Sequence, residues 1–368
     1  MLLARRPVIR IGKMRITFIV PNANLSGGSR VVAMHADGLV RRGHRVTVVA
    51  SKHAPLSWKS RLRSLARGEW PEKPAATSHF DGMRADFKIV DHGGPITDQD
   101  VPDADVVIAT WWETAYSVVN LSPAKGRKYY FVQGHEVFPF LPVHISAGTY
   151  YLPLRKIVVS GWLRDIMRDR YGDSDVDLVP NAVDRKLFFA EPREKNDVPT
   201  VGLLYGRGHP KGTDISLRAL EIVRRRVPAV RIVAFGAEPV SRQMRLPAGS
   251  QFFLRPDQTR LKDIYAMCDV WLTGSRSEGF GLPIIEALAC RCPVVATRTG
   301  CASDVIRDGV NGFVVDVENP EAIADRLIQI LGLERGRWRA MSDAALESVG
   351  PYTWDAATNL FERALSQH

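Results

Sequence analysis

Apolar positions in this chain fall into two alternating kinds of run. MRITFIVP, from Met14, is short and almost continuously apolar and closes on a proline, and the turn-forming NANLSGG follows it. From Ser29 to Arg42 the spacing becomes helical, with Val32, His35, Ala36 and Leu39 on one stripe, and RGHRVTVVA returns to a strand pattern. FKIVDH, DVVIAT, KYYFVQ and KIVVS continue the series. Each is too short and too apolar for a surface helix, so the pattern predicts buried parallel strands. A polar, proline-bearing stretch, AEPREKNDVP, then reads as a connection between domains. After it, TVGLLYG, VRIVAFG, DVWLTG and CPVVAT form a second strand series, separated by helical patterns such as DISLRALEIVRRR and LKDIYAMC. Two sequential α/β units follow, and in such open sheets ligands bind beyond the carboxyl ends of the strands.

Length agrees with two units, since 368 residues exceed one ordinary core. With 24% charged and 45% hydrophobic residues, the composition is that of a globular protein. No apolar run approaches the roughly 20 residues that cross a bilayer. The opening MLLARRPVIRIGK lacks the apolar stretch of a secretory signal and is expected to be a tail on a cytoplasmic protein. Cys268, Cys290, Cys292 and Cys301 are too sparse for a disulfide framework and are expected to be reduced and buried. The Cys290-x-Cys292 pair has no second Cys or His pair at metal-binding spacing. The triplets DAD at Asp103 and DVD at Asp175 read as loop residues, so no metal site is expected.

A net charge of +10 asks for a polyanion. Nucleic acid is excluded by the absence of finger spacing, a basic zipper region or an aromatic RNA-binding strand, which leaves phosphate-rich ligands and anionic membranes. One segment suits a membrane. In WKSRLRSLARGEW, Trp58, Leu62 and Leu65 share a helical face while Lys59, Arg61, Arg63 and Arg67 cover the remainder. Residues 58–70 therefore read in one of two ways, as a core-facing helix with a solvated basic side or as a peripheral contact with the inner face of a membrane.

The segment richest in chemistry is SEGFGLPIIEALACRCPVVAT, from Ser277. Glu278 and Glu286 stand seven residues apart, with a glycine turn between them and Pro283 suited to a helix start. Such a turn offers several backbone N–H groups to phosphate or sugar oxygens. The segment resembles the Glu-seven-Glu motif of the retaining glycosyltransferases of family 4, and NGFVVD and PEAIADRL continue the likeness downstream. The resemblance covers nearly the whole chain and implies a GT-B fold, with two Rossmann-like domains facing across a cleft. It implies an acceptor-side domain at 1–186, a donor domain at 187–351, and a terminal helix, 352–368, that crosses back to the first domain. Glu278 would touch donor-sugar hydroxyls, Gly279, Phe280, Gly281 and Leu282 would present their amides, and Glu286 would bind the ribose.

Other segments carry the same resemblance. GLLYGRGHPKG, from Gly202, is similar to the family's basic loop, although about one residue shorter; Arg207 and Lys211 would clamp the diphosphate. NLSGGSRVVA is similar to the N-terminal glycine loop, where Gly27 and Gly28 would approach the sugar phosphate. YYFVQGHEVFPF supplies His135 as the candidate catalytic histidine, and its opening words resemble a rhamnosyltransferase branch. LVPNAVDRKLF is similar to the interdomain crossover, with Ala182 where glycine is usual, and FFLRPDQ places Arg255 where such folds contact the base. Arg291 stands where glycine is common, so either it takes a left-handed backbone at about 1–2 kcal/mol or the helix ends differently. Asp304 stands where glutamate is usual.

What the resemblance implies is an enzyme that transfers a hexosyl or deoxyhexosyl group, with retention, from a nucleotide diphosphate sugar to a glycan, lipid-linked or small-molecule acceptor. It would use no metal or other cofactor and would serve polysaccharide biosynthesis. The alternatives are another GT-B enzyme, such as an epimerase or phosphorylase, and a non-catalytic nucleotide-sugar-binding protein. A dehydrogenase lacks its G-x-G-x-x-G fingerprint here.

Overall fold

The computed structural model describes residues 12–52 and 78–367. The basic amphipathic stretch 58–70 lies outside the described residues. Thirteen strands are described, β1 (Arg15–Val20), β2 (Arg45–Ala50), β3 (Asp86–Ile89), β4 (Val106–Ala109), β5 (Arg127–Val132), β6 (Arg155–Val158), β7 (Val176–Leu178), β8 (Thr200–Leu204), β9 (Arg231–Gly236), β10 (Gln251–Leu254), β11 (Val270–Thr273), β12 (Val294–Thr297) and β13 (Gly312–Val315). They form a seven-stranded sheet in the order β3-β2-β1-β4-β5-β6-β7 and a six-stranded sheet in the order β10-β9-β8-β11-β12-β13. The pairings β1–β2, β1–β4, β8–β9 and β8–β11 at their centres are parallel. Both sheets therefore reverse their strand order next to the first strand of the series, as in doubly wound Rossmann-like folds.

Packing divides the chain into two compact units, one of residues up to Phe131, Glu136–Ile157 and Thr358 onward, the other of Val132–His135 and Val158–Ala357. The sheets themselves change over between Leu178 and Thr200. In the first unit the helix Gly27–Arg41 buries Val32, His35, Ala36 and Leu39, the predicted stripe. His35 is fully buried between aromatic rings, with Phe361 at 4.5 Å and Phe131 at 5.6 Å, and burial lowers its pKa to about 3. Phe361 belongs to the terminal helix Trp354–Ser366, which docks into this unit as expected: the Arg127 guanidinium donates to the Leu365 carbonyl at 2.6 Å, and His44 meets Glu362 at 2.9 Å. Gly38 is needed at this junction, because a Cβ there would collide with the Thr358 side chain.

The second unit's core lies between its sheet and two helices, Thr213–Arg226 and Pro320–Leu331, with Leu203, Ala234, Leu272 and Val295 meeting Ile215, Leu220, Ile323 and Leu327. All four cysteines are buried free thiols, as expected.

Two expectations need correction. FKIVDH was expected to be buried, but β3 is an edge strand whose residues are mostly exposed, and only Val90 beyond it enters the core. DVD is not all loop, since Val176 and Asp177 open β7. Helices Trp112–Asn120 and Gly161–Tyr171 follow β4 and β6 without having been marked by the apolar pattern. At Arg291 the left-handed alternative is the one adopted, with φ at 58°. Its guanidinium offsets the strain by donating to the Ala190 carbonyl and pairing with Asp343, and its carbonyl accepts from Ser342 Oγ.

Candidate active site

The loop after β8 leads into a short 3-10 turn, His209–Lys211, and then through Gly212 into the helix Thr213–Arg226. Gly212 has φ 57°, and a Cβ there would strike the Gly274 carbonyl, so only glycine turns the chain so close to the end of β11. The turn delivers Lys211 Nζ to Glu278, 2.9 Å from one carboxylate oxygen and 3.2 Å from the other. Ser275 Oγ donates to the same carboxylate at 2.8 Å. The Glu278 side chain is only 11% exposed, whereas Lys211 is 39% exposed, so the carboxylate is enclosed and its cation faces open space. Residues 67 apart in sequence thus form one charged unit. Arg207 stands exposed on the same loop but is not brought onto this pair.

The turn between the two glutamates is bound by residues remote in sequence. Ser160 Oγ donates to the Gly279 carbonyl at 2.7 Å, and the Cys301 amide donates to the Phe280 carbonyl at 2.7 Å. A Cβ on Gly279 would collide with the Gln133 carbonyl, which brings the strand end carrying His135 against the turn. Gly281, at φ 85°, precedes the helix Leu282–Ala289, with Pro283 in its first turn. The first N–H groups of that helix have no partner within it. Gly161, beginning another helix, donates its amide to Asp304 at 2.9 Å and sits so close that a Cβ would meet that carboxylate. The shorter aspartate fits this approach.

Glu286 is the fifth residue of its helix and 5% exposed, and it accepts a hydrogen bond from the buried Tyr265 hydroxyl at 2.9 Å. Burial beside this carboxylate drives the Tyr265 pKa well up. The carboxylate is thus anchored within the protein as well as being a candidate ligand contact. His135 Nε2 lies 2.8 Å from Tyr171 Oη, and burial, reinforced by Arg170, lowers its pKa to about 4. The imidazole is neutral near pH 7 and suits a hydrogen-bonding role rather than that of a standing cation. Arg255 follows β10 with a left-handed φ of 46°, its amide donating to Gly236 and its Nε to Ala237, both at 2.8 Å. It stays exposed at the ends of β9 and β10.

Gly27 and Gly28 belong to the first unit, where they open the helix Gly27–Arg41; Ser26 caps it by accepting from the Ser29 amide at 3.3 Å. The same unit holds a feature that no contiguous motif announces, a cavity of about 570 Å³ beyond the carboxyl ends of β1 to β4. Asn22, Lys52, Trp112, Glu113, Tyr116 and Asn120 line it. Beneath it Glu136 is fully buried, accepting from the Trp112 amide at 2.7 Å and the Tyr130 hydroxyl at 3.0 Å, and burial pushes its pKa up to about 8. Arg276 was likewise not singled out by sequence, because nothing in SRSEG distinguishes it from a surface arginine. Among the described residues no group of three or more His, Cys, Asp or Glu is placed to hold a metal, and no helix is long and apolar enough to cross a membrane.

Two Rossmann-like parallel sheets, with a charged pair and a glycine turn at the strand ends of the second, define the GT-B class. Residues 25–187 match the family model described as Glycosyltransferase Family 4, and residues 185–346 match that of glycosyl transferases group 1. The chain belongs to the family 4 glycosyltransferases. It is similar to the D-inositol 3-phosphate glycosyltransferase of Segniliparus rotundus, 31% identical over half of this chain and 45% of that one. The chain thus spans less than half the length of that relative. It is 26% identical to the GDP-mannose-dependent alpha-(1-6)-phosphatidylinositol monomannoside mannosyltransferase of Mycobacterium tuberculosis, over 77% of this chain and 85% of that one. Among solved structures it superposes on Anabaena Alr3699/HepE in complex with UDP and glucose, with a TM-score of 0.71 at 17% identity, covering 96% of this chain and all of that one.

Proposed function

We propose that the protein transfers a glycosyl group from a nucleotide diphosphate sugar to an acceptor hydroxyl with retention of anomeric configuration. The observation that carries this reading is the pairing of Lys211 Nζ with Glu278 beside the glycine turn. A donor diphosphate draws Lys211 off the carboxylate and onto its own oxygens, and the freed Glu278 accepts from sugar hydroxyls. Arg207 adds a forked donor from its exposed loop, and the amides at Gly279–Leu282 take the remaining phosphate and sugar oxygens. Within the second unit Glu286 takes the ribose and Arg255 the base. The bond from the anomeric carbon to the phosphate oxygen breaks with its electron pair going to the diphosphate. The acceptor oxygen bonds to that carbon on the same face, and its proton passes to the departing phosphate. Charge grows on the diphosphate in the transition state, which is where preformed cations and amides contribute most. No covalent glycosyl-enzyme is invoked, because Glu278 keeps its bond from Ser275 Oγ and is assigned to the sugar hydroxyls.

For the acceptor, the cavity in the first unit mixes aromatic faces with amide, carboxylate and ammonium groups, which suits a hydroxyl-rich ring. The names of the inositol phosphate and mannoside-modifying relatives support the same class. Incubation with UDP-, GDP- and dTDP-sugars against polyol, glycan and lipid-linked acceptors, followed by NMR of the product, tests the reading: an axial donor bond must become an axial product bond. Inverted product, or free sugar only across the whole panel, overturns it. Activity should persist in chelator; loss that magnesium or manganese restores would show that a metal takes part.

A further inference from the structure

We propose that Arg276 is a positioning residue that sets the place of Lys211, and so governs turnover without touching substrate. This inference rests on the donor-phosphate reading of Lys211. Arg276 Nη1 and Nη2 clasp the Asp214 carboxylate at 2.7 and 2.6 Å, Nη1 also donates to the His209 carbonyl at 3.1 Å, and Nε pairs with Glu318. The Arg276 and Ser277 amides both donate to the Pro210 carbonyl, at 2.8 and 3.2 Å. Its side chain is 15% exposed, although Arg207, Gly208 and His209 of the loop it binds are exposed.

These bonds grip both sides of Lys211. His209 and Pro210 precede it in the turn, and Asp214 follows it in the first turn of the next helix, beyond the left-handed Gly212. Two residues after Arg276, Glu278 holds the Lys211 ammonium itself. One short segment, Ser275–Glu278, therefore fixes the turn by its backbone and the ammonium by its carboxylate. Once a diphosphate draws Lys211 off Glu278, the grip by Arg276 still ties the turn to the Ser275–Glu278 segment. A planar fork with three separate partners does this in a way that a lysine point charge cannot.

The test is a double-mutant cycle with the nucleotide sugar that gives product in the panel above. R276A should lower kcat about 100-fold, the size of effect that a misplacement of about 1 Å produces, while donor KM moves far less. R276K should recover only a small part. R276A/K211A should be no slower than K211A alone, because the two changes remove the same contribution. D214N, which keeps the shape but removes the charge and one of the two acceptor oxygens, should show a smaller effect that also vanishes in the K211A background, and it decides the matter if R276A does not fold. If R276A or D214N multiplies the K211A defect in full, Arg276 is an independent structural fastener and the inference fails. If K211A itself turns over like the wild type, the donor-phosphate reading fails instead.

Discussion

The two glycine loops of this protein look alike as strings and are built differently. Asn22–Gly28 in the first unit is held mostly by short-range bonds: Ser29 Oγ donates to Asn24 at 2.7 Å, the Ser26 amide to Asn24 at 2.8 Å, and the Ser29 amide to Ser26, while the distant His79 adds a longer bond, its amide donating to the Asn24 carbonyl at 3.3 Å. Ser277–Leu282 in the second unit is held by Gln133, Ser160, Lys211 and Cys301, residues from distant parts of the chain. The first loop takes its side-chain bonds from within a few residues, Asn22 to Ser29. The second is the meeting point of several elements, and its shape exists only when they are assembled. Substitutions should therefore be absorbed locally in the first loop and propagate from the second.

The largest effect is expected at the charged pair. K211A should lower kcat by about 10²–10³-fold, as loss of one preformed transition-state donor does, with a smaller change in donor KM, and R207A should follow the same pattern more weakly. Steady-state kinetics check this; a change confined to KM would show that Lys211 serves ground-state binding alone. Next comes G279A, which forces a Cβ into the Gln133 carbonyl. It should destabilise the second unit by about 2–4 kcal/mol, read as a lower midpoint in denaturant, and unaltered stability would remove the tertiary wedge from the argument.

E286A separates anchoring from binding in the same turn-and-helix element. It should raise donor KM tens-fold, since hydrogen bonds to a charged group contribute about 1.5–3 kcal/mol, and it should also lower stability by leaving the Tyr265 hydroxyl buried without its partner. E286A/Y265F should regain the stability and not the KM. A KM that returns with stability would mean that Glu286 acts only through packing.

The first unit also has a point tied from afar, Glu136, and it is read by pH. Its folded-state pKa of about 8 lies above that of an exposed carboxylate, so between about pH 4.5 and 8 the folded form holds a proton that the unfolded form has lost. That contribution to stability is fully present below this window and is lost as pH rises through it, levelling off above about 8. E136Q, which keeps the shape without the ionisation, should flatten this part of the stability profile; an unchanged slope would assign it to other groups. The smallest effect is expected in the local loop, where S26A removes one cap and should cost about 0.5–1 kcal/mol with kinetics near wild type. A loss as large as that from G279A would erase the contrast between the two loops.

The sequence carried much of this in legible form. Strand and helix periods marked β1, β2, β4, β5, β6, β8, β9, β11 and β12 and the stripe of the first helix, because a residue's burial there depends on neighbours two, three or four positions away. The Glu278-to-Glu286 spacing, the glycine turn, the basic loop and the left-handed strain at Arg291 were visible for the same reason: each is a property of a few consecutive residues. The exposure of β3 was not, since an edge strand differs from a central one only in having a single neighbour. Nor were the cavity beyond β1 to β4 or the burial of Glu136, which draw residues from strand ends and loops that share no string. The pairing of Lys211 with Glu278, the anchoring of Glu286 by Tyr265 and the grip of Arg276 on the turn around Lys211 were decided by the tertiary structure alone. Each joins groups from 21 to 67 residues apart, and only the closing of a parallel sheet, with its long crossovers, sets such distances.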